Sequence, residues 1–204
     1  MSKLTFLCDL SEATTLLPHF WEHTVGSDHA RMALRADWQH QLKRAHEELG
    51  FRHVRFHGLL SDDMGTVVRA GDEIRYSFFN SDQILDFLLS IGMKPFVELS
   101  FMPSVLASGT KTVFSYEANV TPPRDYKQWA TLIEKFVSHL VDRYGEREVS
   151  EWFFRSLERA KPEKVLEWQP ARLLQILSSH GRGDQKDLAV VKGRWTSNRK
   201  ERVD

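Results

Sequence analysis

Between Ala36 and Phe154 the chain alternates two textures. Segments with apolar residues every three to four positions are separated by short, nearly continuous apolar runs. This alternation constrains the fold most, because strands that alternate with amphipathic helices pair in parallel through crossover connections. Residues 36–49, ADWQHQLKRAHEEL, place Trp38, Leu42, Ala45 and Leu49 on one helical face, with Asp37 able to cap the start and Gly50 the end. HVRFHGLL follows as a strand candidate. Residues 81–91 put Ile84, Phe87, Leu88 and Ile91 on one face and stop at Gly92. KPFVELSF, Lys94 to Phe101, reads as the next strand. Pro122 and Pro123 open a long helix in which Tyr126, Trp129, Ile133, Phe136, Val137 and Leu140 recur at helical spacing until Gly145. SEWFF begins one more strand, and an earlier one fits within FLCDL or HFWEHTVG. The pattern predicts an α/β chain, about strands 1–4 of a (β/α)₈ barrel, a fold that typically takes ~250 residues. An open doubly wound sheet is the competing architecture. It has little support, because no glycine-rich phosphate loop follows a strand.

Composition removes several classes of function. Lys plus Arg equals Asp plus Glu at 28 each, so total charge points to neither nucleic acid nor an anionic membrane. One cysteine, Cys8, excludes an internal disulfide framework and a cysteine-rich zinc site. No run is long and apolar enough to span a bilayer, and MSKLTFLCDL shows no signal-peptide pattern. The expectation is a cytoplasmic protein. Asn119-Val120-Thr121 matches a glycosylation acceptor, which is read as a chance match in that setting. The totals hide an asymmetry. All 13 Phe and all 4 Tyr lie in residues 1–154. From Arg155 onward there are 12 Lys/Arg against 7 Asp/Glu. These charges are scattered and lack interleaved aromatics beyond Trp168 and Trp195, so a nucleic-acid partner is not expected.

In a barrel the chemistry sits at the C-terminal ends of strands, which directs attention to Arg55, His57 and Glu98. Arg55 and His57 lie two apart, so on a strand both face the same way. Such a pair in a barrel mouth could hydrogen-bond sugar hydroxyls. Spacing alone favours a plainer reading, a strand-end polar pair satisfied by neighbouring carboxylates. Glu98, flanked by apolar residues, is either a buried, paired carboxylate or a site residue, with structural pairing preferred. His53, His139 and His180 lack metal-ligand spacing with any partner, so neither a metal site nor a cofactor is expected.

Four segments carry a resemblance. PHFWEHTVGS, LGFRHVRFHGLLSDDMGTV, YSFFNSDQILDFLLSIGMKPFVELSFMPS and NVTPPRDYKQWA resemble glycoside hydrolase family 39, the β-xylosidases, over roughly residues 18–154. The resemblance implies a (β/α)₈ barrel and a retaining mechanism with two glutamates. The acid/base glutamate would follow strand four in a Trp-Asn-Glu-Pro motif, and the nucleophile would come later, on strand seven. Arg55 and His57 match the family's RFH segment that lines the sugar subsite, which makes them the expected substrate-binding residues. The implied partner is a xylo-oligosaccharide or aryl xyloside, and an oligomer is open only to the intact enzyme. An iduronidase stays open within the family, though the xylosidase branch is closer.

After EWFF the family pattern calls for Glu-Val-Trp-Asn-Glu-Pro-Asn-Leu, whereas this chain reads Arg-Ser-Leu-Glu-Arg-Ala-Lys-Pro. The genetic code reconciles the two. CGA AGT TTG GAA CGA GCC AAA CCT GAA encodes Arg155 through Glu163. Read one base later it gives GAA GTT TGG AAC GAG CCA AAC CTG, which is the family motif. Glu163 to Leu177 permits KKFWNGSQHDYFKFY in the offset frame, and Gly193 to Asn198 permits VGGPAT, both resembling family segments. Codon degeneracy helps at many positions, but Trp168 followed by Gln169 forces an offset glycine. The expectation is therefore that residues 1–154 are the N-terminal half of a glycosidase barrel and 155–204 a frameshifted tail. The codon of the acid/base glutamate is overlapped by that of Arg159, and arginine has no accessible neutral form with which to act as an acid. Glu158 is a carboxylate by accident of frame. On this reading no catalytic residue is in frame. The alternatives are a non-catalytic pseudogene remnant, a sugar-binding fragment, or an intact gene with a sequencing error.

Overall fold

The computed structural model describes residues 4–6, 11 and 16–156. The elements follow the alternation of the sequence. Strand β1 (Thr24–His29) leads through a 3₁₀ turn into helix α1 (Ala36–Leu49) and strand β2 (His53–His57). A hairpin of β3 (Val67–Ala70) and β4 (Glu73–Tyr76) precedes helix α2 (Phe79–Ser90) and strand β5 (Lys94–Leu99). A second, smaller hairpin, β6 (Thr112–Val113) and β7 (Ala118–Asn119), precedes helix α3 (Tyr126–Tyr144), the short α4 (Glu146–Val149) and β8 (Phe153–Ser156).

Four strands form one parallel sheet in the order β1-β2-β5-β8. Among the described residues the order runs with the sequence and does not reverse, so they show none of the switch points that define a doubly wound fold. This is the progression of a (β/α)₈ barrel through its first half. Register pairs Arg55 with Phe96 and Glu98 with Arg155, while β1 slips between Gly26 and His29 where it pairs with β2. The slip marks a bulge, which carries His29 to the level of His57.

Alternation along the strands separates the two faces of the sheet. Val54, Phe56, Val97, Leu99 and Phe154 are buried in one cluster with Leu42 of α1, Ile84, Leu85 and Leu88 of α2, and Leu132, Ile133, Phe136, Val137 and Leu140 of α3. Complete burial of each such side chain contributes roughly 1.5–3 kcal/mol. The other face holds the half-buried His53, Arg55, His57, Phe96 and Phe153, together with the buried Glu98. In a barrel that second face looks inward.

Element ends correct several sequence expectations. Asp37 does not cap α1. Arg35 takes the cap position, and Asp37 lies within the first turn, accepting from Trp38 N–H at 3.0 Å and from the Arg35 guanidinium at 3.0 and 2.9 Å. Gly50 ends α1 at φ +74°, as its lack of a Cβ permits. α2 starts at Phe79, two residues ahead of the expected start. The cap of α3 is Asp125, whose carboxylate accepts from Lys127 N–H at 2.8 Å. β2 stops at His57 because Gly58 turns at φ +79°, so the wholly buried Leu59 and Leu60 belong to the following loop. Neither hairpin was expected from the sequence. In β3–β4 a two-residue connection with Gly71 at φ +64° suits the right-handed strand twist.

Polar ties lock the helices. Asp82 of α2 pairs with His139 of α3 at 2.6 Å, and Asp86 accepts from Arg143 at 2.6 Å and from Tyr144 at 2.9 Å. His139 is thus an ordinary structural histidine. No described helix is long and apolar enough to cross a membrane.

Candidate active site

The C-terminal ends of β1, β2 and β5 bring the candidate residues together. Arg55 Nε donates to Glu98 Oε1 at 2.6 Å, and a second guanidinium nitrogen pairs with the same oxygen. Glu98 is 1% exposed, whereas the Arg55 side chain is 42% exposed. A carboxylate this deep needs a cationic partner, because desolvation otherwise costs several kcal/mol. Arg55 also lies over the Phe96 ring at 5.9 Å, which holds the guanidinium plane while leaving part of it open. Arg55 and Glu98 thus form an ion pair near the strand ends.

His57 differs. Its partner is not a carboxylate but the hydroxyl of Tyr116, hydrogen-bonded to Nε2. Around its ring stand Phe101 at 5.5 Å edge-on, Phe114 at 5.5 Å and Tyr116 at 5.9 Å. Burial holds His57 below the usual histidine range, although the nearby Glu98 and Asp28 charges oppose that shift. Neutral at pH 7, its ring can accept on one nitrogen and donate on the other. Burial, together with Asp28 and Asp63, pushes the Tyr116 phenol up to about 12, so it stays protonated and able to donate.

Four contributors were not singled out by sequence: His29, Asp63, Phe114 and Tyr116. The His29 ring stacks on Tyr116 at 3.9 Å and 7°, and its Nε2 lies 3.3 Å from Asp63 Oδ2. Phe114 and Tyr116 come from the turn between β6 and β7. There Phe114 and Glu117 take φ values of +63° and +54°. Left-handed backbone at a non-glycine residue costs roughly 1–2 kcal/mol, so local preference does not build this turn. The ring stack over His29 and His57 offsets the cost. Bonds from the β2 end to the β5 end keep the two loops together: Gly58 N–H donates to Ser100 Oγ at 3.0 Å and Leu60 N–H to Ser100 O at 2.7 Å.

The remaining sequence candidates lie elsewhere. His53 Nδ1 donates to His23 O at 2.7 Å, at the opposite end of β2 from His57. Arg155 is exposed on β8, opposite Glu98 in register. Glu158, Arg159 and His180 lie outside the described residues. Among the described residues, no cluster of three or more His, Cys, Asp or Glu could hold a metal ion.

The strand ends thus present one partly exposed guanidinium, one neutral imidazole and three aromatic rings, with the buried Glu98 carboxylate paired to Arg55. Such a surface suits a neutral, hydroxyl-rich ligand. Comparison with known proteins gives this geometry a family. The chain is 60% identical over 136 residues to a β-xylosidase of Caldicellulosiruptor saccharolyticus, which spans 66% of this chain and 28% of that one. It is 42% identical over 155 residues to a β-xylosidase of Geobacillus stearothermophilus, 74% of this chain and 30% of that one. The chain thus spans under a third of the length of these curated relatives. Among solved structures, a monomeric β-xylosidase from Caulobacter crescentus superposes with a TM-score of 0.68 at 32% identity, over 91% of this chain and 42% of that one. The family 39 glycoside hydrolase of Xanthomonas axonopodis pv. citri gives 0.65 at 37%, over 72% and 29%. The profile of glycosyl hydrolases family 39 matches residues 7–165, well over half of the 204, and the chain belongs to that family.

Proposed function

We propose that this chain is the N-terminal half of a retaining β-xylosidase barrel, the part of the enzyme that recognises a terminal β-D-xylosyl residue of xylo-oligosaccharides. The observation that carries the reading is the 60% identity to a β-xylosidase over a stretch that embraces most of the described barrel half. Arg55 and His57 bind sugar hydroxyls on this reading. Their placement supports it: both stand at the C-terminal strand end, both are half-exposed, and each is held by a partner that leaves part of it open.

Residues 155–204 are read here as a tail in a shifted frame. On that reading the acid/base carboxyl, one of the two that retaining hydrolysis needs ~5–5.5 Å apart, is not encoded in frame, because the codon of Arg159 overlaps it. The chain in this frame would then be inactive. A non-catalytic remnant or an intact gene misread at one base would give the same residues, and resequencing across the Phe154 and Arg155 codons separates them.

The test has two arms. The 204-residue chain should not hydrolyse aryl β-xylosides, and turnover above buffer that a site substitution abolishes would overturn the inactive reading. The gene restored by removing one base near the Arg155 codon should encode a retaining β-xylosidase. In it, Arg55→Ala and His57→Ala should each lower kcat and kcat/KM together, by about 30- to 1,000-fold, the scale of one preorganised charge-stabilising contact. Activity within threefold of the parent for both variants would make the pair purely structural.

A further inference from the structure

We propose that Asp63 is a positioning residue: through His29 and Tyr116 it fixes His57 as the tautomer that presents Nδ1–H to the bound sugar. The proposal rests on the reading of His57 as a sugar-facing residue and goes beyond it, because it specifies which atom His57 offers and what holds it there.

The argument starts from an oddity of burial. His29 is 9% exposed, and its Nδ1 has no hydrogen-bond partner among the described residues, nor has either carboxylate oxygen of Asp63. Buried polar groups are normally satisfied, so a cluster that breaks the rule needs a reason. The geometry supplies one. Asp63 Oδ2 lies 3.3 Å from His29 Nε2, and Asp28 Oδ1 lies 3.4 Å from His29 Nδ1. The ring is thus suspended between two carboxylates that set its plane, without tight bonds to either. That plane is what Tyr116 lies on, at 3.9 Å and within 7° of parallel. The stack therefore decides where the Tyr116 hydroxyl points, and it points to His57 Nε2.

The bond has one sensible direction. If His57 Nε2 carried the proton, the Tyr116 hydroxyl hydrogen would be left without an acceptor among its described neighbours. If the phenol donates instead, His57 Nε2 accepts, and its single proton sits on Nδ1. His57 then offers an N–H donor whose direction is set four side chains deep, which suits a sugar hydroxyl oxygen. Loop ties anchor the far end of the chain of contacts. Asp62, next to Asp63, accepts from Ser104 N–H at 3.0 Å, which joins the loop after β2 to the loop after β5.

Long-range ¹H–¹⁵N correlation on the full 204-residue chain, labelled at histidine, reads the tautomer directly. The His57 signals are identified by their loss in His57→Gln. At pH 8 His57 should show a protonated Nδ1 and a bare Nε2. Tyr116→Phe keeps the stacked ring and removes only the donor, so most of the His57 population should revert to the Nε2–H form that free imidazoles prefer. Asp63→Ala should move it the same way to a smaller extent, while Asp63→Asn, which keeps an acceptor for His29, should restore the parent pattern. An Nε2–H signal in the parent, or a His57 pattern unchanged in both Tyr116→Phe and Asp63→Ala, overturns the proposal. The two variants report separately, so loss of fold in one leaves the other to decide. No sugar enters the measurement. A frame-restored enzyme without xylosidase activity would refute the functional reading while a fixed Nδ1–H tautomer still stood.

Discussion

The two faces of the same sheet are organised by different physics. On the helix-facing side, Val54, Phe56 and Val97 are at most 1% exposed and belong to one apolar cluster. Shape and volume satisfy that face, and many apolar residues of similar size would serve. On the opposite side polar groups meet particular neighbours: Arg55 bonds Glu98, His57 bonds Tyr116, and His29 lies 3.3 Å from Asp63. Loss of one partner there strands another. The helix-facing side thus carries most of the stability, and the inward side carries specificity.

The largest expected effect tests the helix-facing side. Phe136 is wholly buried on α3, facing Phe78 at 5.2 Å. Phe136→Ala should destabilise the chain by about 3–5 kcal/mol, read as a lower denaturant midpoint at similar slope. The equally apolar Val68, 49% exposed on β3, should lose under about 0.5 kcal/mol on truncation to Ala. A Phe136→Ala cost near that of Val68→Ala would mean that the helices do not hold the sheet by packing.

The next effect separates partners on the inward side. Arg55→Ala leaves the buried Glu98 carboxylate without its cation, and breaking such a pair costs about 3–5 kcal/mol, here toward the lower end because the arginine side is partly solvated. Glu98→Gln keeps an acceptor and releases a guanidinium that water can reach, so it should cost roughly 1 kcal/mol. The inequality is the prediction. Equal costs in urea titrations would show that the Arg55–Glu98 pair behaves as an exposed ion pair and that the inward side is wetter than its geometry indicates.

The contrast also explains what could be read from the sequence. Helical spacing of Trp129, Ile133, Phe136 and Leu140 located α3, and the glycines at 50, 92 and 145 marked element ends, because apolar periodicity and left-handed backbone leave local traces. Arg55, His57 and Glu98 were visible as strand-end polar residues. His29, Asp63 and Tyr116 were not. They lie on three separate segments and meet only after β1 bulges and the β6–β7 turn folds over, with Phe114 at a positive φ that no local rule anticipates. Asp37 misled for a related reason: a capping residue type stood two positions after the cap, where it could bond Arg35 instead. A signal could have been found in the aromatic spacing of Phe114 and Tyr116, since alternate residues in a short hairpin share a face.

The smallest expected effect concerns pH, and it distinguishes the inward side from the sheet's lower rim. His57 lies below the ordinary histidine range because burial disfavours its charged form, with Glu98 and Asp28 opposing and His29 and Arg55 adding to the shift. Its folded form therefore binds a proton less readily than the unfolded chain does. Stability from this group is fully present above the unfolded histidine value, and it is lost as pH falls through about 6.5 toward the folded value. At the rim, burial alone would raise Glu148, but hydrogen bonds from Lys94 and Trp152 outweigh it and hold the carboxyl below its usual range. That contribution is intact above the ordinary glutamate value and declines only in stronger acid. Between pH 8 and 5.5, then, stability should fall slightly in the parent, and the fall should be shallower in His57→Gln. Lys94→Met should leave that slope unchanged and alter only the acid limb below about pH 4.5. The comparison is between the slopes of parent and variant, not absolute stabilities. A His57→Gln slope steeper than the parent's would mean that the folded state prefers His57 charged. Glu98 would then face His57 more directly than Arg55 allows, and the inward side would be held by charge where its geometry indicates a neutral hydrogen bond.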